Sequence, residues 1–366
     1  MDNQHPTKKI AIVVGTRPEI IKMAPIIRYC EREKIRTILI HTGQHYSYDM
    51  DRIFFHDLKL PEPSYNLEVG SHSHGKQTGL LLMRLEEVLM EEKPSIVLVE
   101  GDTNSVLAGG LVSVKMGIPV GHVEAGLRSY DREMPEELNR VLVDHLSSLL
   151  FAPTEPTQKI LLNEGISQEK IYVTGNTIVD AVHQNLSLID HPKEHLEKLD
   201  IHPREYMILT LHRQENVDNA NKLSNVFSGL ELVHSEFKMP ILYPIHPRTR
   251  KRISQFQVKV PSCVILSDPL GYLSFLGLFN LSRLVLTDSG GIQEEACILK
   301  IPSVTLRENT ERPETLEVGS NILAGTDPHR ILESTRQMMK RKCVWENPFG
   351  DGSSAQQIMQ IVMGNI

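Results

Sequence analysis

The sequence predicts an α/β protein with two parallel, doubly wound sheets. Short apolar runs recur without polar alternation, which is typical of strands buried on both faces. Amphipathic stretches of helical length separate these runs, and this alternation favours parallel sheets. The predicted strands, in chain order, are Ile10–Val14, Thr37–Ile40, Ile96–Val99, Leu149–Ala152, Met207–Thr210, Ile241–Tyr243, Val264–Leu266, Leu284–Leu286 and Val304–Leu306. Ligands of such sheets bind beyond the carboxyl ends of the strands, so functional residues are expected in the loops there.

The chain divides into two predicted domains near its middle. The stretch His183–Tyr206 is polar and charged, contains Pro192 and Pro203, and has no strand-like run. We therefore expect a first Rossmann-like domain over residues 1–175 and a second over residues 176–352. The amphipathic segment 353–366 is expected to form a helix that packs back on the first domain.

Length, composition and charge narrow the classes of function. The 366 residues fit about two domains. The apolar share of 40% and the charged share of 23% are those of an ordinary globular protein. A net charge of −7 disfavours a nucleic-acid binder, which needs a positive field to collect phosphates.

The cysteines and the N-terminal segment bear on location. No CxxC pair and no His at metal-ligand spacing accompanies any cysteine, so isolated thiols in a reducing compartment are expected. The N-terminal segment lacks an apolar signal region, and no apolar run approaches the roughly 18 residues of a membrane span. We expect a cytoplasmic protein without a metal or a membrane contact. The cysteines are Cys30, Cys263, Cys297 and Cys343.

The first predicted strand leads into a loop suited to an anion. Thr16 with Glu19 three residues later is a capping-box pattern, and Pro18 suits a first helical turn. A helix N-terminus at the end of a parallel strand offers free N–H groups to an anion, and Arg17 and Lys22 add positive charge. The alternative is a plain strand-to-helix turn with solvated cations.

The segment Leu286–Ala296 is a second candidate phosphate site. Its strand runs into the small-residue loop Ser289–Gly291 and then into a helix. Glycines let the backbone approach a phosphate, and the helix N-terminus supplies donors. Glu294 or Glu295 can accept hydrogen bonds from ribose hydroxyls. The pattern is neither GxGxxG nor a P-loop, so it implies neither NAD nor ATP hydrolysis. A loop chosen for its turn geometry is the alternative.

Carboxylates collect after strands in the first half of the chain. Asp102 and Glu124 each follow a predicted strand, and Glu136 opens a helix. Buried charges are rare unless they are paired or functional. Several carboxylates in one crevice are what proton abstraction and return require. A helix cap at Asp102 and a dipole-favoured charge at Glu136 remain open alternatives.

Two histidines follow strands of the second half. His212, with Arg213, and His246 are placed to bind a diphosphate or to shuttle a proton, unless they are structural. The histidines of Ser71–His74 have no acidic or cysteine cluster nearby and are expected to lie in a loop. The basic run Arg248–Arg252 is expected to form a solvated face.

A further set of segments covers nearly the whole chain in a fixed order. As a set they are highly specific, and together they resemble the non-hydrolysing UDP-N-acetylglucosamine 2-epimerase family. They are Gly15–Pro25, Gly101–Thr103, Gly121–Arg128, Pro135–Glu137, Val173–Thr177, His212–Arg213, Leu286–Ala296, Thr310–Glu314 and Asn347–Gly352.

The resemblance implies a fold and a reaction. The fold is a GT-B-like pair of Rossmann-like domains with the active site in the cleft between them. The reaction is the reversible conversion of UDP-GlcNAc to UDP-ManNAc, by elimination of UDP to a 2-acetamidoglucal and re-addition of UDP. The product would supply ManNAc units for surface polysaccharide or glycan synthesis. The resemblance implies no redox cofactor and no metal, and it implies a homodimer.

The resemblance also assigns site residues, position by position. It places Asp102, Glu124, Glu136 and His212 at positions of catalysis. It places at UDP-sugar-binding positions Arg17, Lys22, Asp102, Glu124, His212, Phe275, Ser289, Gly290, Gly291, Glu295 and Arg312. From their own positions after strands, Arg213 and His246 join the expected binding residues.

Two departures from the family pattern concern contacts with ligands. Leu270 stands where bacterial relatives have Gln, so one contact on the uracil side is not carried over. Residues 44–47 read Gln-His-Tyr-Ser, whereas bacterial relatives bind an activating second UDP-GlcNAc through a Gln-His-Arg-Gln-like segment. Because Ser47 replaces a side chain used there, weak or absent activation by UDP-GlcNAc is expected.

Other functions remain open at the level of sequence. They are a hydrolysing epimerase, an epimerase for a modified UDP-sugar such as a diacetamido-uronate, a GT-B glycosyltransferase and a non-catalytic nucleotide-sugar sensor. A glycosyltransferase would need an acceptor groove and usually one base rather than several carboxylates. A sensor would bind the nucleotide sugar without turnover.

Overall fold

The computed structural model describes residues 8–44, 48–189, 191 and 193–366, and it divides into two α/β units. The first unit comprises Met1–Gln184 and Phe349–Ile366, and the second comprises Asn185–Pro348. The division falls later than the expected boundary after residue 175, and the chain returns to the first unit at Phe349 rather than at residue 353. Hydrogen bonds from Arg28 to Gln184 (2.8 Å) and from Asn176 N–H to Phe349 O (2.8 Å) tie both stretches to the first unit.

The first unit is a seven-stranded parallel sheet in the order β3-β2-β1-β4-β5-β6-β7. Its elements are β1 (Lys9–Val14), α1 (Arg17–Arg32), β2 (Arg36–His41), α2 (Tyr48–Asp57), β3 (Tyr65–Asn66), α3 (His74–Glu92), β4 (Ile96–Glu100), α4 (Asn104–Lys115), β5 (Val120–Val123), α5 (Pro135–Leu146), β6 (Leu149–Ala152), α6 (Glu155–Asn163), β7 (Ile171–Val173) and α7 (Thr177–Leu186). The strand order reverses between β1 and β4, which is the switch point where ligands of open α/β sheets bind.

The second unit is a six-stranded parallel sheet in the order β10-β9-β8-β11-β12-β13. Its elements are α8 (Glu194–Glu197), β8 (Met207–Thr210), α9 (Gln214–Val217), α10 (Ala220–Phe237), β9 (Ile241–Pro244), α11 (Pro247–Gln255), β10 (Val264–Ser267), α12 (Tyr272–Leu281), β11 (Leu284–Thr287), α13 (Gly290–Ile298), β12 (Ser303–Thr305), α14 (Pro313–Glu317), β13 (Asn321–Leu323) and α15 (Pro328–Lys340). Here the order reverses between β8 and β11.

Both faces of the strands are buried, which explains their unbroken apolar runs. In the second unit, Leu209 and Leu286 pack into one apolar cluster, and Ile208 and Val285 pack into another on the opposite face. The predicted pair of Rossmann-like parallel sheets is therefore confirmed. No helix in the described part of the chain is long and apolar enough to cross a bilayer.

The last helix, α16 (Ser354–Asn365), lies against α1. Cys30 Sγ of α1 is 3.9 Å from Met359 Sδ of α16. The carboxylate of Asp180 accepts the N–H groups of Ser354 (3.2 Å) and Ala355 (3.0 Å) at the start of α16. The C-terminal helix thus packs on the first unit through both apolar and capping contacts.

Four strands lie outside the predicted set, namely β3, β5, β7 and β13. Three are edge or next-to-edge strands of two or three residues, too short for an apolar run. The fourth, β5, contains Gly121 and the buried His122, so its pattern is polar. His122 therefore lies within a strand, and only Glu124 follows it.

Candidate active site

The switch point of the first unit is lined by the loops after β1 and β4. Gly15 follows β1, where a Cβ would collide with the side chains of Thr42 and Ser105. Arg17 begins α1, and its guanidinium carbon lies 5.8 Å from the centre of the Phe54 ring. Glycine is therefore required for the close approach of the β1 loop to its neighbours.

Glu19 shapes the turn between β1 and α1. Its carboxyl accepts hydrogen bonds from Gly15 N–H (2.6 Å) and from Thr16 Oγ1 (2.9 Å). Thr16 is the N-cap residue, but its side chain accepts no capping hydrogen bond and Glu19 accepts the N–H of Gly15 instead, so the expected capping box does not form. Burial raises the pKa of Glu19 to about 7, against the lowering effect of these hydrogen bonds.

Glu124 follows β5 and is held by contacts with α1 and with the loop after β7. Its backbone is left-handed, with φ of 67°, which is uncommon for a residue other than glycine. Its buried side chain forms an ion pair with Lys22 of α1, and Asn176 Nδ2 donates to Glu124 Oε2 (3.3 Å). Lys22 and Glu124, which were each expected in the site, are thus in direct contact.

Asp102 lies in the loop after β4, one strand away from Glu124. It is ion-paired with Arg140 of α5, while Arg140 Nη1 also lies 3.1 Å from Glu137 Oε2. Asn139 Nδ2 donates to the backbone oxygen of Asp102 (2.9 Å). The cap of α4 is Thr103, whose Oγ1 accepts Val106 N–H. Asp102 is therefore not the helix cap that the sequence left open.

Glu137 fixes the loop before α5. It accepts N–H groups from Ser129 and Tyr130, each at 2.9 Å. Burial raises the pKa of this carboxyl, but these hydrogen bonds and Arg140 outweigh burial and lower it overall. Glu137 is thus bound within its own loop, whereas its neighbour Glu136 is exposed.

Glu136 lines a pocket of about 200 Å³ on the first unit. The same pocket is lined by His72, His74 and Asn104, so the Ser71–His74 segment belongs to a cavity wall. Asn104 Nδ2 contacts His74 Nδ1 (3.2 Å). Glu136 also lies in the first turn of α5, where the helix dipole favours a negative charge.

Gln44 anchors the loop that forms part of this pocket. Its Oε1 accepts Ser105 N–H (3.0 Å) and Ser105 Oγ (2.6 Å). Residues 45–47, the rest of the segment that differs from the bacterial Gln-His-Arg-Gln-like pattern, lie outside the described residues.

His122 of β5 connects a buried carboxylate of α5 to the backbone that follows β4. Its Nδ1 lies 2.6 Å from Asp144 Oδ1 and its Nε2 lies 2.8 Å from Gly101 O. Both ring nitrogens of His122 thus face oxygen atoms of neighbouring residues. Arg128 Nη1 lies 2.7 Å from Asp144 Oδ2. This buried network fixes the backbone just before Asp102.

In the second unit, His212 follows β8 and meets Asp288, which follows β11. The His212 Nδ1 atom lies 3.3 Å from Asp288 Oδ1. The fully buried Asp288 also accepts the N–H groups of His212 (3.1 Å) and Arg213 (2.9 Å). Burial lowers the pKa of His212, and Asp288 opposes that effect. The side chain of His212 is 48% exposed, so its other ring nitrogen is available to a ligand.

The loop Ser289–Gly291 leads from β11 into α13. Ser289 is the N-cap of α13, and its N–H donates to Thr287 Oγ1 (3.0 Å). A Cβ at Gly291 would meet nothing within 4 Å, so the backbone there is open to a ligand. The helix N-terminus therefore presents donors beside His212, as an anion site requires.

Glu295 and Arg312 are both held by neighbours. Glu295 is buried within α13 and accepts a hydrogen bond from Tyr272 Oη (3.2 Å). Arg312 is the N-cap of α14, and its Nε lies 2.6 Å from Oε1 of the buried Glu294. Both expected binding residues are thus preset by contacts within the second unit.

A second arginine orders the loop before α14. Arg307 Nη1 lies 2.8 Å from Glu311 Oε2, and Arg307 Nε lies 2.8 Å from Glu215 Oε1. Burial raises the pKa of Glu311, but Arg307 outweighs burial and lowers it to about 2.

Two expected binding residues have clear local roles. His246 is the N-cap of α11, and its Nδ1 accepts Arg248 N–H (3.2 Å). Phe275 of α12 packs on Phe279, with ring centres 5.8 Å apart, and Leu270 packs into the same apolar cluster. Phe275 therefore lies beside the core, whereas His246 is exposed at the start of its helix.

Sequence reasoning missed Glu19, Glu100, Asn176 and Asp288 as site residues. The sequence offers one signal for such residues, which is a charged residue at the end of an apolar strand, as at Glu100. Across the described ranges, no group of three His, Cys, Asp or Glu residues could hold a metal ion.

Comparisons with known proteins identify the family. The family model described as UDP-N-acetylglucosamine 2-epimerase matches residues 28–363. The UDP-N-acetylglucosamine 2-epimerase of Methanococcus maripaludis is 53% identical over 97% of this chain and 98% of the relative. The chain belongs to the UDP-N-acetylglucosamine 2-epimerase family.

Solved structures agree in fold. The Methanocaldococcus jannaschii UDP-GlcNAc 2-epimerase in complex with UDP-GlcNAc and UDP matches with a TM-score of 0.88 and 51% identity, over 97% of this chain and 99% of the other. The Neisseria meningitidis enzyme bound to UDP-GlcNAc matches with a TM-score of 0.87 and 34% identity, over 98% and 100% of the two chains.

Proposed function

We propose that this protein interconverts UDP-GlcNAc and UDP-ManNAc without releasing free sugar. The observation that carries the proposal is the arrangement of two paired carboxylates, Asp102 with Arg140 and Glu124 with Lys22, after adjacent strands at the switch point of the first unit. The relatives named for this activity at 51–53% identity support it. Proton removal and return at one carbon is the chemistry that such a pair provides.

The chemical step begins at C2 of the sugar. Its hydrogen is weakly acidic, so a carboxylate must take the proton as the C1–O bond breaks. The C–H electron pair forms the C1–C2 double bond of a 2-acetamidoglucal, and the C1–O pair leaves with UDP. Return of the proton to the opposite face of C2, with re-addition of UDP at C1, gives the epimer. We assign the proton transfers to Asp102 and Glu124, with Glu136 as a third carboxylate on the same unit.

The departing UDP requires a site for its two phosphates. We assign that role to the second unit, where His212, Arg213 and Arg312 supply positive or donating groups. The N–H groups of Ser289, Gly290 and Gly291 open helix α13 and favour negative charge. Donors arranged in advance around a developing charge stabilise the transition state more than the ground state.

The nucleoside and the first unit's cations complete the assignment. The buried carboxylate of Glu295 is proposed to accept the ribose hydroxyls, and Phe275 to lie on the nucleoside side. Arg17 and Lys22 are proposed to bind on the sugar side, where Lys22 already pairs with Glu124. No redox cofactor and no metal enters the reaction as proposed.

Incubation of the purified protein with UDP-GlcNAc alone tests the proposal, with chromatographic separation of products. UDP-ManNAc is the expected product. In the reverse reaction, UDP-ManNAc should give UDP-GlcNAc. Free ManNAc with UDP would indicate a hydrolysing enzyme. Tight binding of UDP-GlcNAc without any product would indicate a sensor, and transfer of the sugar to an added acceptor would indicate a glycosyltransferase.

A modified sugar is the second candidate, because one relative has that activity in its name. A Pseudomonas aeruginosa UDP-2,3-diacetamido-2,3-dideoxy-D-glucuronate 2-epimerase is 38% identical over 96% of this chain. Competition between that substrate and UDP-GlcNAc, compared by kcat/KM, distinguishes the two. The 51–53% identity of the two methanogen UDP-N-acetylglucosamine 2-epimerases favours the unmodified sugar.

The oligomeric state and the location of the protein are also proposed. A homodimer follows from the family resemblance, and analytical ultracentrifugation tests it. A cytoplasmic location is supported by the four free thiols, of which three are buried. The proposed product would supply ManNAc units for polysaccharide or glycan synthesis.

A further inference from the structure

Glu100 is a buried carboxyl group at the end of β4 that the proposed mechanism does not use. In the pairing of β4 with β5 it lies opposite Val123, the residue just before Glu124. Its exposure is 2%, and its Oε1 atom lies 3.4 Å from Lys22 Nζ. Glu124 pairs with the same Lys22 Nζ, so one ammonium group brings the two buried carboxyl groups together.

The groups around Glu100 do not balance in charge. Glu19 and Lys22 act on it from α1, and Glu124 acts on it from the loop after β5. Three buried carboxyl groups therefore interact here, and the ammonium group of Lys22 pairs with two of them, Glu100 and Glu124. Full ionisation would leave excess negative charge out of water, which is strongly unfavourable. Two carboxyl groups that share one ammonium group can hydrogen-bond to each other only if one of them carries a proton.

The position of that proton follows from the contacts. Glu124 is the closer of the two carboxyl groups to Lys22 and also accepts from Asn176 Nδ2, so it is the ionised member. Glu100 then holds the proton. Burial raises the pKa of Glu100 well above its usual range; Lys22 lowers it, and Glu124 and Glu19 raise it further.

We propose that Glu100 is a positioning residue for the reaction: its protonated carboxyl donates a hydrogen bond that holds Glu124 ionised and in one orientation. The inference rests on the proposed function, because it acts through the role given to Glu124. Glu124 then has donors from Lys22, Asn176 and Glu100 around its buried carboxylate. Loss of the Glu100 proton would remove a donor and place a second negative charge beside Glu124.

Two substitutions at Glu100 distinguish a role as hydrogen-bond donor to Glu124 from a role in packing alone. Glu100→Gln keeps the shape and an N–H donor toward Glu124 but cannot ionise, whereas Glu100→Leu keeps bulk and removes the donor. We expect E100L to lose kcat by up to roughly 10²-fold, since misplacing a catalytic group by about 1 Å costs that much. E100Q should stay within a few-fold of the native protein near neutral pH. The KM for UDP-GlcNAc should change much less than kcat in both.

The dependence of kcat on pH is a measurement that a role of Glu100 in packing alone would not change. In the native protein kcat should fall on the alkaline side as Glu100 loses its proton, and this limb should be absent from E100Q. Glu62→Gln is the matched control, because it removes a carboxyl of the same size that is 61% exposed and paired with Arg52. E62Q should keep the native profile.

Infrared difference spectroscopy tests the proton directly. The carbonyl stretch of a protonated carboxyl, shifted in D2O, should be present in the native protein and lost in E100Q but not in E62Q. Equal losses of kcat in E100Q and E100L, an unchanged pH profile in E100Q, or no lost carboxyl band would each overturn the inference. If the native protein does not epimerise UDP-GlcNAc, the proposed function fails, while the infrared result still reports on the Glu100–Glu124 pair.

Discussion

Asp288 Oδ1 lies 3.3 Å from His212 Nδ1, and the same carboxylate accepts the backbone N–H groups that begin the His212–Arg213 loop. Asp288 follows β11 and His212 follows β8, the two strands between which the sheet order of the second unit reverses. A single buried carboxylate thus fixes both the loop and the imidazole ring. The orientation of the half-exposed His212 ring therefore depends on Asp288.

Asp288→Asn should weaken catalysis through His212. The amide keeps the shape but removes the charge that raises the pKa of His212, so that pKa should fall further below its usual value. We expect kcat to fall by roughly tenfold to 10²-fold from misorientation of the ring. The His212 resonance in an NMR titration should move to lower pH.

Two controls keep that prediction specific. Asp268→Asn removes an exposed carboxylate that pairs with Arg250 at the surface, and it should change neither kcat nor the titration. In a His212→Gln background, D288N should cost little more, because residues that act together are not additive. Full additivity of the two substitutions would show that Asp288 does not act through His212.

Arg312→Ala should slow the departure of UDP. Glu294 positions Arg312 at the start of α14. In the proposed function, Arg312 stabilises the negative charge that develops on the diphosphate. Loss of one such contact typically costs about 2.7–4 kcal/mol in the transition state, or roughly 10²–10³ in kcat. Arg330→Ala, which removes a surface arginine paired with Glu308, is the control. An unchanged kcat in R312A would refute the assignment.

Glu19 should make the stability of the protein depend on pH. Its pKa is raised by burial from 4.5 to about 7, so the folded state favours the protonated form. The contribution is complete below pH 4.5 and declines as the pH rises through 7, by up to roughly 3 kcal/mol at about 1.4 kcal/mol per unit. Between pH 5 and about 8, the urea midpoint of the native protein should fall relative to that of Glu19→Gln. Parallel midpoints of the two proteins over that range would show that Glu19 does not titrate there.

The sequence was sufficient to locate the loops of the site, because function follows strand ends in parallel sheets. Asp102, His212 and Ser289 all lie in loops after strands, as their predicted strands required. Runs buried on both faces are apolar throughout, so those strands were visible without alignment. The short strands β3, β7 and β13 were not visible, since two or three residues carry no periodicity.

The pairing of side chains could not be read from the sequence. Lys22 and Glu124 are 102 positions apart, and His212 and Asp288 are 76 apart. Only the strand order brings such residues together, and many pairings satisfy the same periodicity. Glu100 shows the difference: its place at the end of an apolar run was visible, but its contact with Glu124 depends on the register of β4 with β5.

The proton-transfer mechanism itself predicts the fate of hydrogen at C2. If one group removes the C2 proton and another returns it to the opposite face, the returning proton comes from a side chain that exchanges with water. In D2O, the product should therefore carry deuterium at C2, and recovered substrate should acquire it later; NMR and mass spectrometry of the UDP-sugars measure both.

The variants Asp102→Asn and Glu124→Gln keep shape and remove basicity, so each should lower kcat by roughly 10²–10⁴, the usual contribution of acid–base catalysis. UDP binding should be affected less, because the proposed diphosphate contacts lie on His212, Ser289 and Arg312. Glu62→Gln, with the same loss of one carboxyl at an exposed site, should leave both kcat and labelling unchanged. A glycosyltransferase or a sensor would incorporate no deuterium at C2, and a hydrolysing enzyme would release labelled free ManNAc. Epimerised product without deuterium at C2 would exclude exchangeable proton transfer, and with it the roles assigned to Asp102 and Glu124.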